Sequence, residues 1–386
     1  MAQSVKSSSR GQSKPKAARA QTRSTGQLSK PVARWRTDAD RRLLTLENGQ
    51  YRLEIWPEMG GAITSHVHKA SGLDIMWRNP YGQPPRSRVL DQPIAAGSDL
   101  FDVMDGSWYV SLPNGFFAGD YFGAPLGTHG ELRAVPWTVE KIDRSRDAVT
   151  VVLRGASVRT PLVYHRELTA RTGSPLLEWR ETVQNRSAEP MPIAWLQHPT
   201  FGGPLLDGAK LVTPAKTVRV FQVEQPDSIQ LKAGYSGPWP LVPERLGGVR
   251  DCSIVPAEDS GLDHSVQMTD FSAGWGCIWN EGRQLGFSVQ WDLIMYPYAW
   301  SWASGGGIRH YPLWGEGHII TLQPSTSPVG RFPDLLQAGQ LRTVPARGEI
   351  STTMTTGFVT SPNGPWPGSG ALQALRGPST GDGRSA

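Results

Sequence analysis

Two short stretches set a histidine among glycine, proline and aromatic residues: Thr128-His129-Gly130-Glu131-Leu132-Arg133 followed by Pro136-Trp137, and Trp195-Leu196-Gln197-His198-Pro199-Thr200-Phe201-Gly202-Gly203. Imidazole titrates near neutrality, so His129 and His198 can each give or take a proton in a cleft. Glycine and proline shape the loops around them, and the aromatic rings supply flat apolar faces. That combination suits a sugar site. Arg78 and Arg133 are cations that can donate to sugar hydroxyls or to the phosphate of a sugar phosphate, with a structural ion pair as the competing role for each. The rings of Trp108, Trp195, Trp300 and Trp314 can stack on a pyranose, although one or more of them must serve the core.

The pattern around these residues is one of strands. Leu43, Leu44 and Leu46, then Tyr51, Leu53 and Ile55, alternate with polar residues across an Asn48-Gly49 turn, which predicts a hairpin and an ordered chain from about Arg41. Alternation resumes over 62–68, where His66 and His68 share a face and nothing nearby completes a metal set. It recurs over 137–142; 148–153 reads as a buried strand, 164–169 and 176–185 follow as further short strands spaced by turns, and ordered alternation returns over 275–279 and 285–292. Arg166, Glu167, Glu178, Arg180 and Glu181 read as cross-strand pairs on a solvated face. Residues 81–128, rich in glycine, proline and aromatics, read as a long loop forming one wall of the cleft. The stretch 210–265 is less regular and predicts only strands and loops. With few helical windows, the expectation is an all-β chain of antiparallel sheets.

Composition agrees with that class. The 386 residues include 43 Gly, 32 Pro and 15 Trp, too many helix breakers for a helical enzyme. The formal charge of +5 is concentrated at the start: the first 34 residues carry eight Lys or Arg and no acid, so the remainder is mildly acidic. Such a tail can brush an anionic surface, but its lack of large apolar side chains predicts a solvated, disordered extension. We therefore expect a disordered basic tail over 1–34, one β-sandwich domain over 35–360 and a disordered tail over 361–386. Only Cys252 and Cys277 are present, without metal-ligand spacing, which indicates neither a disulfide framework nor zinc and points to a reducing, cytoplasmic location. There is no apolar run of about 18 residues and no secretory h-region, so no membrane association is expected.

The two histidine stretches, together with Pro57-Glu58-Met59-Gly60-Gly61-Ala62-Ile63-Thr64-Ser65, resemble the aldose 1-epimerase (galactose mutarotase) superfamily. The His129 to Trp137 wording is more similar to bacterial aldose 1-epimerase-like branches than to the galactose enzymes. Trp77-Arg78-Asn79-Pro80 also resembles a family loop, and the likeness runs from about Leu44 to about Phe358. The resemblance implies a large antiparallel β-sandwich of the mutarotase type, the supersandwich. It also implies a small aldose, free or phosphorylated, as partner, no cofactor and no metal, and no specific nucleic acid.

In that family one group takes the proton of the anomeric hydroxyl while another protonates the ring oxygen. The resemblance makes His198 the acid and His129 the histidine that holds the ring. The family's glutamate base falls on Gln323, in Leu322-Gln323-Pro324. An amide can hydrogen-bond the anomeric hydroxyl but cannot take its proton near neutral pH. Glu316, in a glycine-flanked loop, and Asp292 are the nearest carboxylates in sequence. Their competing roles are a surface acid for Glu316 and a turn cap or sugar-hydroxyl acceptor for Asp292; Trp195 and Trp314 remain candidate sugar-binding rings. Three readings stay open: an anomer-exchanging isomerase, a sugar-binding protein that lost its base, and an interaction protein using its sheet and basic tail.

Overall fold

Among the described residues, alternation of apolar and polar side chains builds antiparallel sheets of five, eight and nine strands, beside three two-stranded ones. The computed structural model describes residues 29–81, 106–221, 230–310 and 313–361. The eight-stranded sheet has at its centre Leu162–Arg171, Leu176–Asn185 and Glu349–Val359, paired in long unbroken registers. Ala148–Ala156 shows the period of two most plainly: every second residue is buried. The helix Phe332–Gln337 is a short connector. Much of the expected tails, the first half of the expected aromatic wall and part of the irregular stretch lie outside the described residues.

The five-stranded sheet begins earlier than the alternation indicates. Val32–Asp38 forms its first strand, paired residue by residue with Arg41–Glu47. That strand is hidden in the sequence because it is an edge: Ala33 is its one buried residue, and the rest read as a charged tail. The Asn48 turn is as expected, and Asn48 also reaches outward, donating from Nδ2 to the carbonyls of Arg171 and Ser174. This ties the small sheet to the eight-stranded one.

One expectation is overturned by burial. Arg166 and Glu181 do pair across strands, but on the core face, with side chains 0% and 1% exposed. Arg166 Nε donates to Glu181 Oε1 at 2.7 Å, and the Trp137 and Trp179 rings cover the guanidinium. Glu181 Oε2 accepts from Gln197 Nε2 at 2.6 Å, and Gln197 Oε1 accepts from Trp108 Nε1 at 3.1 Å. Gln197 and Trp108 lie on the nine-stranded-sheet side, so the polar chain spans the sandwich. A buried ion pair adds little net stability, but once formed it resists loss of either member. It fixes which face of Leu196–His198 looks inward: Gln197 toward the core, His198 away from it.

Candidate functional site

His198 lies on the outer face of the nine-stranded sheet, and the sheet register says what accompanies it. Across the strands, Gln267 is paired with Trp300, Trp300 with Gln323, and His198 with Tyr109. Leu196 faces both Ser325 and Ser111, which puts Gln323 level with His198. Directly opposed residues of antiparallel strands point to the same face. The result is a row, Gln267, Trp300, Gln323, His198 and Tyr109, of hydrogen-bonding groups around one indole.

His129 joins the row from a loop. It has a left-handed backbone, φ +64°, and Gly130 after it has φ +74°. A Cβ at Gly130 would lie 2.0 Å from the Leu112 carbonyl oxygen, so only glycine permits this approach. Asn114 Nδ2 binds the Phe117 and Gly127 carbonyls and locks 112–118 to the His129 loop. The imidazoles of His129 and His198 then meet with centroids 4.7 Å apart, and Tyr109 stacks on His198 at 4.6 Å.

The other residues of these motifs hold the loops together. Gly60 and Gly61, both at φ +59°, allow the close approach of Arg133 backbone and Trp137 ring. Glu131 is buried and accepts from the amides of Val158 and Arg159 and the hydroxyl of Thr160. It is a loop anchor.

Burial decides the protonation of the two imidazoles. His198 is pushed down to about 3, chiefly by desolvation, with the Arg133 cation acting the same way against a backbone hydrogen bond. His129 is lowered well below the usual histidine range by burial, then by His198 and Arg133, with a backbone hydrogen bond at Gly115 opposing. Both are neutral at pH 7, each offering one donor and one acceptor. Nδ1 of each, Gln323 Oε1, Gln267 Nε2 and Trp300 Nε1 are buried without a hydrogen-bond partner. Other buried atoms, such as both ring nitrogens of His66 and His264, also have no partner, but here five gather on one face, where a polar molecule can complete the bonding. Gln323 Nε2 donates to Thr321 Oγ1 at 2.8 Å, which aims the amide.

A strap covers the row. The Phe116 ring packs on both His129 and Trp300, at 4.9 and 5.3 Å, and Phe117 stacks on Phe221 at 5.3 Å. The Phe116 ring lies on the His129 and Trp300 rings, which are 3% and 4% exposed, so a ligand on those two faces must displace it.

The remaining sequence candidates are dispersed. Trp195 is fully buried between Tyr164 and Tyr296, in the core and on the parity of Gln197, away from the row. Trp108 likewise faces the core. Trp314 and Glu316 are exposed in a turn that touches Gly306. Gly306 lies six residues along the strand from Trp300, and among the described residues no ring contact or hydrogen bond joins Trp314 or Glu316 to the imidazoles. Asp292 caps a turn, its Oδ1 accepting from the Ile294 amide. Arg78 pairs with Asp74 at 3.0 Å. Arg133 is buried close enough to depress both histidines, and its Nε donates to the Thr128 carbonyl. A carboxylate that the sequence reading passed over is Asp263: buried, on the Gln267 side of its strand, and accepting from Trp302 Nε1 at 2.8 Å. Gln267 was passed over too. The polar residues Asp263, Ser265 and Gln267 recur every second position, a signal split between the end of the stretch read only as irregular, 210–265, and the residues just after it. Among the described residues no group of three metal-ligating side chains forms and no helix is long and apolar enough to cross a membrane.

A family model described as a domain of unknown function, DUF4432, matches residues 39–357. The chain belongs to this family. No curated protein matches its sequence. Among solved structures, a candidate aldose 1-epimerase from Klebsiella pneumoniae is similar with a TM-score of 0.63 at 14% identity, over 85% of this chain and 83% of that one. A galactose mutarotase-like protein from Clostridium acetobutylicum gives 0.60 at 13%, over 86% and 99%. Another from Lactobacillus casei gives 0.56 at 17%, over 82% and 100%. At such identities the likeness establishes the fold: this DUF4432 member is a galactose mutarotase-like β-sandwich.

Proposed function

We propose that this DUF4432 protein binds an aldose in its ring form on the outer face of the nine-stranded sheet, with the pyranose against Trp300 and its hydroxyls on Gln267, Gln323, His129 and His198. The observation that carries this reading is the set of buried, unpartnered hydrogen-bonding atoms gathered on that face. Donors and acceptors are both represented, as a hydroxyl-rimmed ring requires. The mutarotase-like fold of its structural neighbours supports a sugar as the ligand class.

Anomer exchange needs a base and an acid, and this row is poor in both. Gln323 cannot accept a proton, and burial keeps the His198 imidazole neutral at pH 7, where it has no readily given proton. The best-supported function is therefore sugar binding on an epimerase frame, with slow exchange. A second reading keeps the isomerase: Asp263 lies on the same face, and it would serve as base to a sugar displaced along the strand toward Trp302. Calorimetric titration with a panel of neutral aldoses tests binding, and two-dimensional exchange NMR on the same sugars tests turnover. Binding without accelerated exchange is expected. Rapid exchange abolished by Asp263→Asn would establish the second reading, and no binding of any aldose would overturn both.

A further inference from the structure

The row of hydrogen-bonding groups does not stop at Gln267. The next strand, Thr217–Arg219, pairs with Leu262–Thr269 so that Arg219 stands directly opposite Gln267 and on the same face. Arg219 is exposed, and among the described residues no hydrogen bond or ion pair engages its guanidinium. Phe221, two positions on and so on the same face, is the ring on which Phe117 of the covering strap stacks. Arg219 thus sits at the mouth of the covered row, beside the strap's far end.

Resting on the sugar reading above, we propose that the ligand is an acidic sugar, a hexose bearing a carboxylate or phosphate, and that Arg219 binds that anionic group. Two strand spacings separate Arg219 from Trp300, about 10 Å across the sheet. A pyranose stacked on Trp300 projects an exocyclic group toward Gln267, and the arginine stem spans the rest. A guanidinium fork is the side chain best shaped for a carboxylate or phosphate, which it holds through two parallel hydrogen bonds. The residues directly in line between Arg219 and His198 are Gln267, Trp300 and Gln323, all uncharged, so nothing in the row itself neutralises the anion first. The positive field of Arg133 at the inner end works in the same direction.

The test is calorimetric titration of the full chain with glucose, glucuronate and glucose 6-phosphate, and with the galactose counterparts, on wild type, Arg219→Gln and Arg219→Lys. Arg219 is on the surface, so the variants fold. For at least one ring type the acidic sugar should bind about tenfold tighter than the neutral one, the gain expected of a charge-assisted pair at a partly screened site. In Arg219→Gln the acidic and neutral sugars should come within about twofold of each other, and Arg219→Lys should retain part of the preference. Glucuronate and glucose 6-phosphate separate the carboxylate from the phosphate. Equal affinities of neutral and acidic sugars in wild type would overturn the acidic ligand while leaving the sugar site intact. A preference that survives Arg219→Gln would overturn the assignment to Arg219. Failure of every sugar, neutral or acidic, would overturn the sugar reading itself.

Discussion

Replacing Gln323 by glutamate asks whether one missing carboxylate separates this site from a working epimerase. Gln323 is 1% exposed and donates from Nε2 to Thr321 Oγ1, while its Oε1 has no partner. In Gln323→Glu the donated bond is lost, and the Thr321 hydroxyl, which also accepts from the Trp302 amide, must turn its proton to the new carboxylate. A buried carboxylate with one donor is under-solvated, so the expected cost is about 1–3 kcal/mol at pH 7. The sign with pH follows. Burial raises the folded-state value of the new acid above its unfolded value, so the folded state takes up the proton first, and the stability gap to wild type narrows as pH falls below that folded value. A carboxylate poised in this way is a better base than an ordinary one, and general-base assistance is worth about 10²- to 10⁴-fold. Exchange NMR on the tightest-binding aldose should show at least a hundredfold gain over wild type, declining as the new carboxylate is protonated, while urea melts report the stability cost. Unchanged exchange in a folded variant that still binds sugar would refute the reasoning that the amide at this position is what limits turnover.

Other expectations concern the frame around the site. His66 and His264 are each held down to about 4 and His198 to about 3, chiefly by desolvation, and His129 is lowered well below the usual range. Each depressed histidine lets the unfolded chain bind a proton first, so stability falls by about 1.4 kcal/mol per pH unit per group once pH drops below about 6.5. A cooperative acid transition near pH 5 should appear by circular dichroism, and His66→Phe, filling a site ringed by Tyr51, Phe287 and Phe358, should move it to lower pH. Glu181→Ala, which strands the buried Arg166 cation, should cost about 3–5 kcal/mol in urea denaturation, and the double replacement Arg166→Met with Glu181→Leu should recover most of it. Phe116→Ala, which uncovers His129 and Trp300, should raise the association rate for sugar in stopped-flow fluorescence by about tenfold or more, since binding no longer waits on strap opening. An unchanged rate would mean that the strap already opens faster than sugar arrives.

How much of this was legible in the sequence depends on whether a residue obeys the rule used to read it. The strands from Thr138 to Asn185 were legible because short runs rich in β-branched and aromatic residues are separated by turn residues, and the histidine stretches because glycine and proline mark their loops. Val32–Asp38 was not, since an edge strand with one buried residue looks like a polar tail. Arg166 and Glu181 were misplaced because charge outweighed parity: Arg166 shares its side of the strand with Tyr164 and Leu168, and Glu181 with Trp179 and Val183, all buried. The same parity would have sent Trp195 to the core with Gln197 and away from His198. Gln267, Asp263 and Arg219 were illegible for a different reason. Their place in the site follows from the register of strands far apart in the chain, which no local pattern encodes.

The proposed aldose completes the unpartnered bonding around His129 and His198. The most direct measurement is NMR of the protein with labelled histidine rings, titrated with a neutral aldose and with its acidic counterpart. Saturating sugar should shift the ring signals of His129 and His198 and leave those of His66 and His68, in the small five-stranded sheet, in place. Sugar binding that moves His68, which lines a separate cleft of about 260 Å³ with Tyr51 and Phe358, and leaves the row unmoved would contradict the account.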